Sequence, residues 1–269
     1  MAPIRVIFSG ATGAVGRNLI PALLATDGFE LVGAIGHRDV GRDVGLALSL
    51  AGPAGVTIAR DFTEANSERP ADVLVDFSAS EPAASNGLAA VRAGVAVVLG
   101  TTAVDRDAVA EMGRLAEERG VGVFLAPNLT IVGQLMFRCS QMVRPYFGDV
   151  EIVEAHSSTK RDAPSGTALE TARLLNATSA PPMSTDSTSR GLPESRGAKV
   201  GDVRIHSVRL PSLYSRHEVL FSRPGEMLTI VCDQFSTEPL VGPTLKATRL
   251  ILQHRGLVVD LPGLFDPDN

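Results

Sequence analysis

The sequence predicts an α/β protein in two parts: a doubly wound parallel sheet, then a smaller α+β region with a largely antiparallel sheet. Three observations carry that expectation. First, the β-prone run at residues 4–9 leads through a glycine-spaced segment into Val15, Leu19, Ile20, Leu23 and Leu24 at helical spacing, which reads strand, loop, helix. Second, apolar runs at 31–35, 73–77, 95–99 and 121–125 alternate with helical stretches near 82–92 and 105–119, as in a parallel sheet covered on both faces. Third, the alternation stops after Asn128. Together the first two describe a Rossmann-like arrangement.

In the second part the pattern predicts a helix over 135–143, a strand at 150–155 and a helix from about 165 to 175. Residues 177–200 are rich in Ser, Thr, Pro and Arg without apolar periodicity, so they read as one long loop. Strand-like runs at 203–209, 217–221 and 227–232 join the strand at 150–155 in the smaller sheet. Helical periodicity then returns over 241–253. The expected boundaries are a dinucleotide-binding domain of residues 1–127 and 240–269, and a substrate-binding and oligomerisation domain of residues 128–239.

With 269 residues, 44% of them hydrophobic, the chain can bury one large core or two modest ones, and its length favours two domains slightly. Its net charge of -5 gives no general pull toward nucleic acid or anionic membranes, so a small-molecule partner is expected. Cys139 and Cys232 stand in no metal-ligand or disulfide-framework spacing, and no metal site is expected. The N-terminal residues lack a signal-like pattern, and no apolar run approaches the ~20 residues of a membrane helix. The expected compartment is the cytoplasm.

The segment Gly10-Ala11-Thr12-Gly13-Ala14-Val15-Gly16 follows the first strand and opens the first helix. Glycine there allows a tight turn and close approach of the backbone to a pyrophosphate, whose charge the helix N-terminus receives. After the second strand, Gly36-His37-Arg38 lies where such folds read the adenosine ribose. An arginine favours a 2′-phosphate, so His37 and Arg38, with Arg42 nearby, point to NADPH, NADH remaining possible. Gly100-Thr101-Thr102 and Ala126-Pro127-Asn128-Leu129 follow later strands, at the carboxyl ends where open α/β sheets bind ligands.

The segment Glu154-Ala155-His156-Ser157-Ser158-Thr159-Lys160-Arg161-Asp162-Ala163-Pro164-Ser165-Gly166-Thr167-Ala168 resembles the signature of the dihydrodipicolinate reductases. The glycine loop, Asp76-Phe77-Ser78, Gly100-Thr101-Thr102, the Ala-Pro-Asn run, Ile205-His206-Ser207-Val208-Arg209 and His217-Glu218-Val219 match the family pattern in order. The chemistry also follows from the residues. A histidine at a strand end and a lysine four positions on supply a proton donor and a cation, while Ser165-Gly166-Thr167 at a helix start suits a carboxylate.

The resemblance implies that His156 is the acid/base residue, that Lys160 protonates or polarises the substrate, and that Gly166 with Thr167 holds a carboxylate, next to Ser165 at the same turn. It also implies a homotetramer. There are departures: Ser157 stands where the family has a substrate-contacting histidine, and Thr237 where it often has an arginine. Leu210-Pro211 replaces a glycine pair, Ala103 a glycine, and His37 an acidic residue. The implied activity is NAD(P)H-dependent reduction of a dihydrodipicolinate-type cyclic imine to tetrahydrodipicolinate in diaminopimelate and lysine biosynthesis. The alternatives are a diverged paralogue acting on another cyclic imine or conjugated acid, and a non-catalytic nucleotide-binding protein.

Overall fold

The computed structural model describes residues 2–101, 104–183, 192–259, 261 and 263–265. Two compact units emerge, one from the residues up to Leu129 together with those from Thr237 onward, the other from Thr130–Ser236.

The first unit begins with β1 (Ile4–Ser9), α1 (Gly16–Ala25), β2 (Phe29–Ile35) and α2 (Val44–Ala47), and continues with β3 (Ile58–Ala59), α3 (Phe62–Ala65), β4 (Val73–Asp76) and α4 (Ser80–Arg92). Then come β5 (Ala96–Leu99), α5 (Arg106–Arg119) and β6 (Gly122–Leu125). The second unit holds α6 (Ile131–Val143), β7 (Asp149–His156), α7 (Gly166–Ala177), β8 (Ala198–Val200), β9 (Val203–Arg209), β10 (Ser215–Arg223) and β11 (Glu226–Gln234). The chain closes with α8 (Val241–Leu250) and β12 (Gly256–Val258).

The first unit's seven strands are ordered β12-β6-β5-β4-β1-β2-β3 and pair in parallel. Successive side chains of a strand enter opposite faces, and both faces are covered. Val6, Phe8, Val73, Val75 and Val98 pack on one side with Leu19 and Ile20 of α1 and Leu245 and Ala247 of α8. Ile7, Leu74, Val97 and Leu99 pack on the other with Ala90 of α4 and Met112 of α5. Winding reverses at β1, which pairs with both β2 and β4, and the crevice this opens beyond the strands' carboxyl ends is where such sheets bind ligands. The edge strands β3 and β12 are too short to leave a periodicity in the sequence.

The second unit's sheet runs β11-β10-β7-β9-β8. Three of its pairs are antiparallel and one, β7 with β9, is parallel. One face is dry: Val150, Ile152, Ile205, Val219 and Phe221 pack against Met136 and Phe137 of α6 and Ala168, Ala172 and Leu175 of α7. Helix α6 starts earlier than the sequence predicts, because the Thr130 side chain accepts from Gly133 N at 3.1 Å and caps it.

The long loop expected over 177–200 is corrected at its end. Residues Pro193–Arg196 form a 3-10 turn, and β8 pairs with β9 at the sheet edge. An edge strand carrying Lys199 has no alternating apolar signal to read. Residues 184–191 of that segment lie outside the described residues. No helix among the described residues is long and apolar enough to cross a membrane.

Candidate functional site

At the end of β1 the chain turns at Gly10, whose φ is +87°. Gly10 N and Ala11 N both donate to Ile35 O at 3.0 Å, tying the loop to the end of β2. A Cβ on Gly10 would sit 2.5 Å from Phe77 O, and one on Gly16 would sit 2.3 Å from Ala11 O. Both obstacles are backbone, so only glycine fits this cradle. Ala11 is buried, while Thr12, Gly13, Ala14 and Val15 reach solvent to differing degrees as the helix opens.

The loop borders a cleft of about 360 Å³ lined by Gly10, Thr12 and Gly13, by His37, Arg38 and Arg60, and by Phe77, Ser78 and Ala79. A narrow backbone turn facing two exposed arginines fits a dinucleotide's pyrophosphate and adenosine ends. Arg60, at the end of β3, was not among the residues the sequence singles out, because nothing in its local pattern places it beside Arg38. Arg42 is instead ion-paired with Asp39.

Gly100 and Thr101 follow β5. A Cβ on Gly100 would lie 2.2 Å from the Phe77 ring, and the Thr101 hydroxyl bonds Asp76 Oδ1 at 2.9 Å. Asp76 also receives Ser78 N and its hydroxyl, so one buried carboxylate braces the ends of β4 and β5. Thr102 and Ala103 lie outside the described residues. Ala126 N donates to Leu99 O at 2.9 Å, Pro127 and Asn128 are half-buried, and the Leu129 side chain belongs to the core. Only the main chain of Leu129 is therefore available to a cofactor.

Thr237 has a role that the sequence does not suggest. Its hydroxyl donates to Ala14 O at 3.2 Å and accepts from Asn18 Nδ2, so it braces the glycine loop from within the first unit.

In the second unit, Glu154 and His156 alternate onto the same face of β7, and neighbouring strands surround them. His217 and Ser215 of β10 lie opposite Glu154 and His156, and Ser207 and Arg209 of β9 lie opposite them on the other side. The Glu154 carboxylate is fully buried. It accepts His156 Nδ1 at 2.5 Å, Arg209 Nη1 at 3.0 Å, Arg209 Nη2 at 2.8 Å and Ser165 N at 3.3 Å. Burial opposes its ionisation, but hydrogen bonds from His156, Arg209 and Ser207 outweigh burial and hold its pKa down at about 2.

The two histidines meet edge-on with centroids 5.2 Å apart. Burial pushes His217 down to about 4, helped by the charge of His156 and, more weakly, by Lys160 and Arg209, against the pull of Glu154. His217 is thus neutral near pH 7, and its Nε2 lies 3.1 Å from the Ser165 hydroxyl. Ser165 in turn caps α7 by accepting Ala168 N at 3.2 Å. Glu154, His156 and His217 hold donor atoms within 4.8 Å of one another. A guanidinium on both carboxylate oxygens makes this a hydrogen-bonded relay rather than a cation site.

The loop after β7 is tied down by Leu210 N to His156 O at 3.0 Å and by Ser158 N to Leu210 O at 3.2 Å. Lys160 Nζ lies 2.8 Å from Asp162 Oδ2, both partly exposed. The Ser157 hydroxyl turns toward its own loop, 3.0 Å from Thr159 Oγ1. Gly166 and Thr167 form the first turn of α7, directly after Ser165. Of the cluster, Glu154, Arg209, Ser215 and His217 were not singled out as site residues; the signal for Glu154 was its spacing of two from His156 in a strand, while the others depend on register.

The family model described as dihydrodipicolinate reductase, N-terminus, matches residues 4–129, and that described as its C-terminus matches 129–264. A 4-hydroxy-tetrahydrodipicolinate reductase from Moorella thermoacetica is 37% identical over 266 residues, 99% of each chain. One from Desulfitobacterium hafniense is 38% identical over 268 residues, covering 99% of this chain and all of that one. Among solved structures, a dipicolinate-bound dihydrodipicolinate reductase from Paenisporosarcina sp. TG-14 superimposes with a TM-score of 0.75 at 26% identity, covering 96% of this chain and 98% of that one. The chain belongs to the dihydrodipicolinate reductase family of NAD(P)H-dependent oxidoreductases.

Proposed function

We propose that the protein reduces a dihydrodipicolinate-type cyclic imine to tetrahydrodipicolinate in diaminopimelate and lysine biosynthesis, in the cytoplasm. The observation that carries this reading is the buried Glu154–His156–Arg209 cluster at the head of the Lys160-to-Thr167 segment, in a chain whose relatives carry that activity by name. A nicotinamide dinucleotide held by the glycine loop supplies the hydride. His156 holds the proton to be exchanged, Lys160 leaves Asp162 to polarise the substrate, and the first turn of α7 with Thr167 receives a carboxylate. The cofactor residues are Gly10 to Gly16, His37, Arg38, Gly100, Thr101 and Ala126 to Asn128, to which we add Arg60.

The test is NAD(P)H oxidation with the lysine-pathway imine, in competition with pyridine-2,6-dicarboxylate. Ser157 favours a second reading, a paralogue with another acidic imine, since a serine hydrogen-bonded to its own loop offers no imidazole to a second carboxylate. Under the first reading the unmodified protein turns the imine over efficiently and Ser157→His changes its KM less than threefold. Poor turnover, with Ser157→His lowering both KM and the inhibition constant of the dicarboxylate about tenfold, establishes the second.

NADPH is expected to bind more tightly than NADH, because Arg38 and Arg60 have no ion pair among the described residues and both line the cleft. Arg38→Ala should weaken NADPH about tenfold and leave NADH unchanged, a charge-assisted hydrogen bond to phosphate being worth about 1.5 kcal/mol. Equal dissociation constants in the unmodified protein, measured by fluorescence titration, overturn this preference.

The open face of the second sheet presents Val153, Leu220, Thr229 and Val231 beside Arg216, which pairs with Asp233 and Glu218 at 2.7 Å. A sheet face left uncovered, with exposed apolar side chains set among ion pairs, supports a homotetramer assembled through it.

A further inference from the structure

Glu154 is assigned no part in the chemistry above, yet more of the site depends on it than on any other side chain. We propose that Glu154 is a positioning residue: its carboxylate holds His156 in one tautomer and, through its second oxygen, ties the head of α7 to that imidazole. The proposal rests on the reading of His156 as the acid/base group.

The argument starts from acceptor capacity. An ionised carboxylate can only accept, so the 2.5 Å contact to Oε2 requires the proton to sit on His156 Nδ1. That leaves Nε2 as the nitrogen that gains and loses the exchanged proton, and it points toward Ser215 Oγ at 3.2 Å. A hydroxyl rotates to donate or accept, so Ser215 accommodates either state of Nε2.

The carboxylate is itself immobilised. Arg209 grips both oxygens and also donates Nη2 to Asp162 O at 2.6 Å, which draws in the loop carrying Lys160. On the Oε1 side Ser165 N donates at 3.3 Å, so the residue that caps α7 hangs from the same carboxylate. A rotation of Glu154 would therefore displace the acid/base nitrogen, the lysine loop and the anion-receiving helix turn together. His217 supports the arrangement from across the strand: being neutral, it adds no second positive charge beside His156 and Arg209.

Glutamine at position 154 separates positioning from packing, because it keeps the volume and loses one acceptor. Its oxygen is retained on the Oε1 side, where Ser165 N–H and Arg209 Nη2 are two fixed donors, because the Oε2 side carries only one, Arg209 Nη1, beside an imidazole that can change its tautomer. Its NH₂ then faces His156 Nδ1, and the imidazole must move its proton to Nε2. In triads where a carboxylate orients a histidine, this exchange lowers turnover by about 10⁴.

The experiment uses the full chain with ¹⁵N-labelled histidine. Long-range ¹H–¹⁵N spectra at alkaline pH, with His156→Gln to assign the ring, should show Nδ1–H in the unmodified protein and in Glu154→Asp, and Nε2–H in Glu154→Gln. For Glu154→Gln we expect kcat lower by about 10²–10⁴ with the dissociation constant of NADPH within twofold, and for Glu154→Asp recovery to within about tenfold of the unmodified kcat. An Nε2–H ring in the unmodified protein overturns the proposal, even should Glu154→Gln fail to fold. So does a folded Glu154→Gln that keeps Nδ1–H or keeps kcat within threefold. The spectra need no substrate, so an unmodified protein that leaves the imine untouched refutes the proposed function while the tautomer still decides the role of Glu154.

Discussion

Replacing His156 with alanine is expected to lower the turnover number by a factor on the order of 10²–10⁴, with cofactor affinity nearly unchanged. The His156 ring is bonded through Nδ1 to the Glu154 carboxylate, while the neighbouring His217 is pushed down to about 4 by burial and is neutral near pH 7. Removing the His156 ring takes away the group proposed to exchange the proton and leaves the Glu154–Arg209 pair intact, so the fold should survive. Lys160→Ala should produce a loss of similar order by a different route. Its ammonium is partly exposed and, among the described residues, ion-paired with Asp162 alone, so the variant's thermal midpoint should barely move while kcat falls. Stopped-flow traces of NADPH oxidation, with a solvent isotope effect to show that chemistry is rate-limiting, check both variants. Full turnover by His156→Ala under those conditions would sink the mechanism.

The other large effect belongs to the glycine loop. Gly10→Ala is expected to weaken NADPH at least about 100-fold, because two penalties act together: a side chain at a φ reserved for glycine, of order 1–3 kcal/mol, and a Cβ driven into backbone. The backbone in question is Phe77 O, 2.5 Å away, and the only relief is to shift the cleft wall itself. Gly94→Ala is the matched control. Gly94 has φ +76° with open space around it, so the substitution costs backbone strain alone and should leave NADPH affinity within twofold. Titration of each folded variant with NADPH, beside its thermal midpoint, separates the two. A Gly10→Ala protein that binds NADPH within threefold of the unmodified one would show that the cradle does not receive the pyrophosphate.

The elements that were legible are those whose packing is local. The strand, glycine turn and helix at residues 4–25 could be read because burial on one helix face imposes its own spacing, and because a turn this tight admits few residues other than glycine. The dry runs of β4 and β5 were legible because both of their faces are covered. Edge strands were not. Strand β3 is two residues long and pairs with β2 some way back along the chain, while β8 is three residues, two of them exposed, that turn directly into β9, so neither carries a period.

The sequence by itself determined the family, the two-part α/β organisation, the glycine loop and the His156–Lys160 segment, since each is encoded in consecutive residues. Only the tertiary structure decided what those residues face. Arg60 came to the cleft beside Arg38 through the placement of β3, while Arg42 was taken up by Asp39. Thr237, which stands where the family often has an arginine, was brought back across 223 positions to brace Ala14. Glu154 acquired Arg209 and His217 through the register of β7 with β9 and β10. In each case the partner comes from another segment of chain, and for Glu154 burial makes that partner indispensable. A hydrogen bond to a buried charge is worth forming only where desolvation has made its absence costly, and burial is a property of the packed sheet rather than of any one segment of chain.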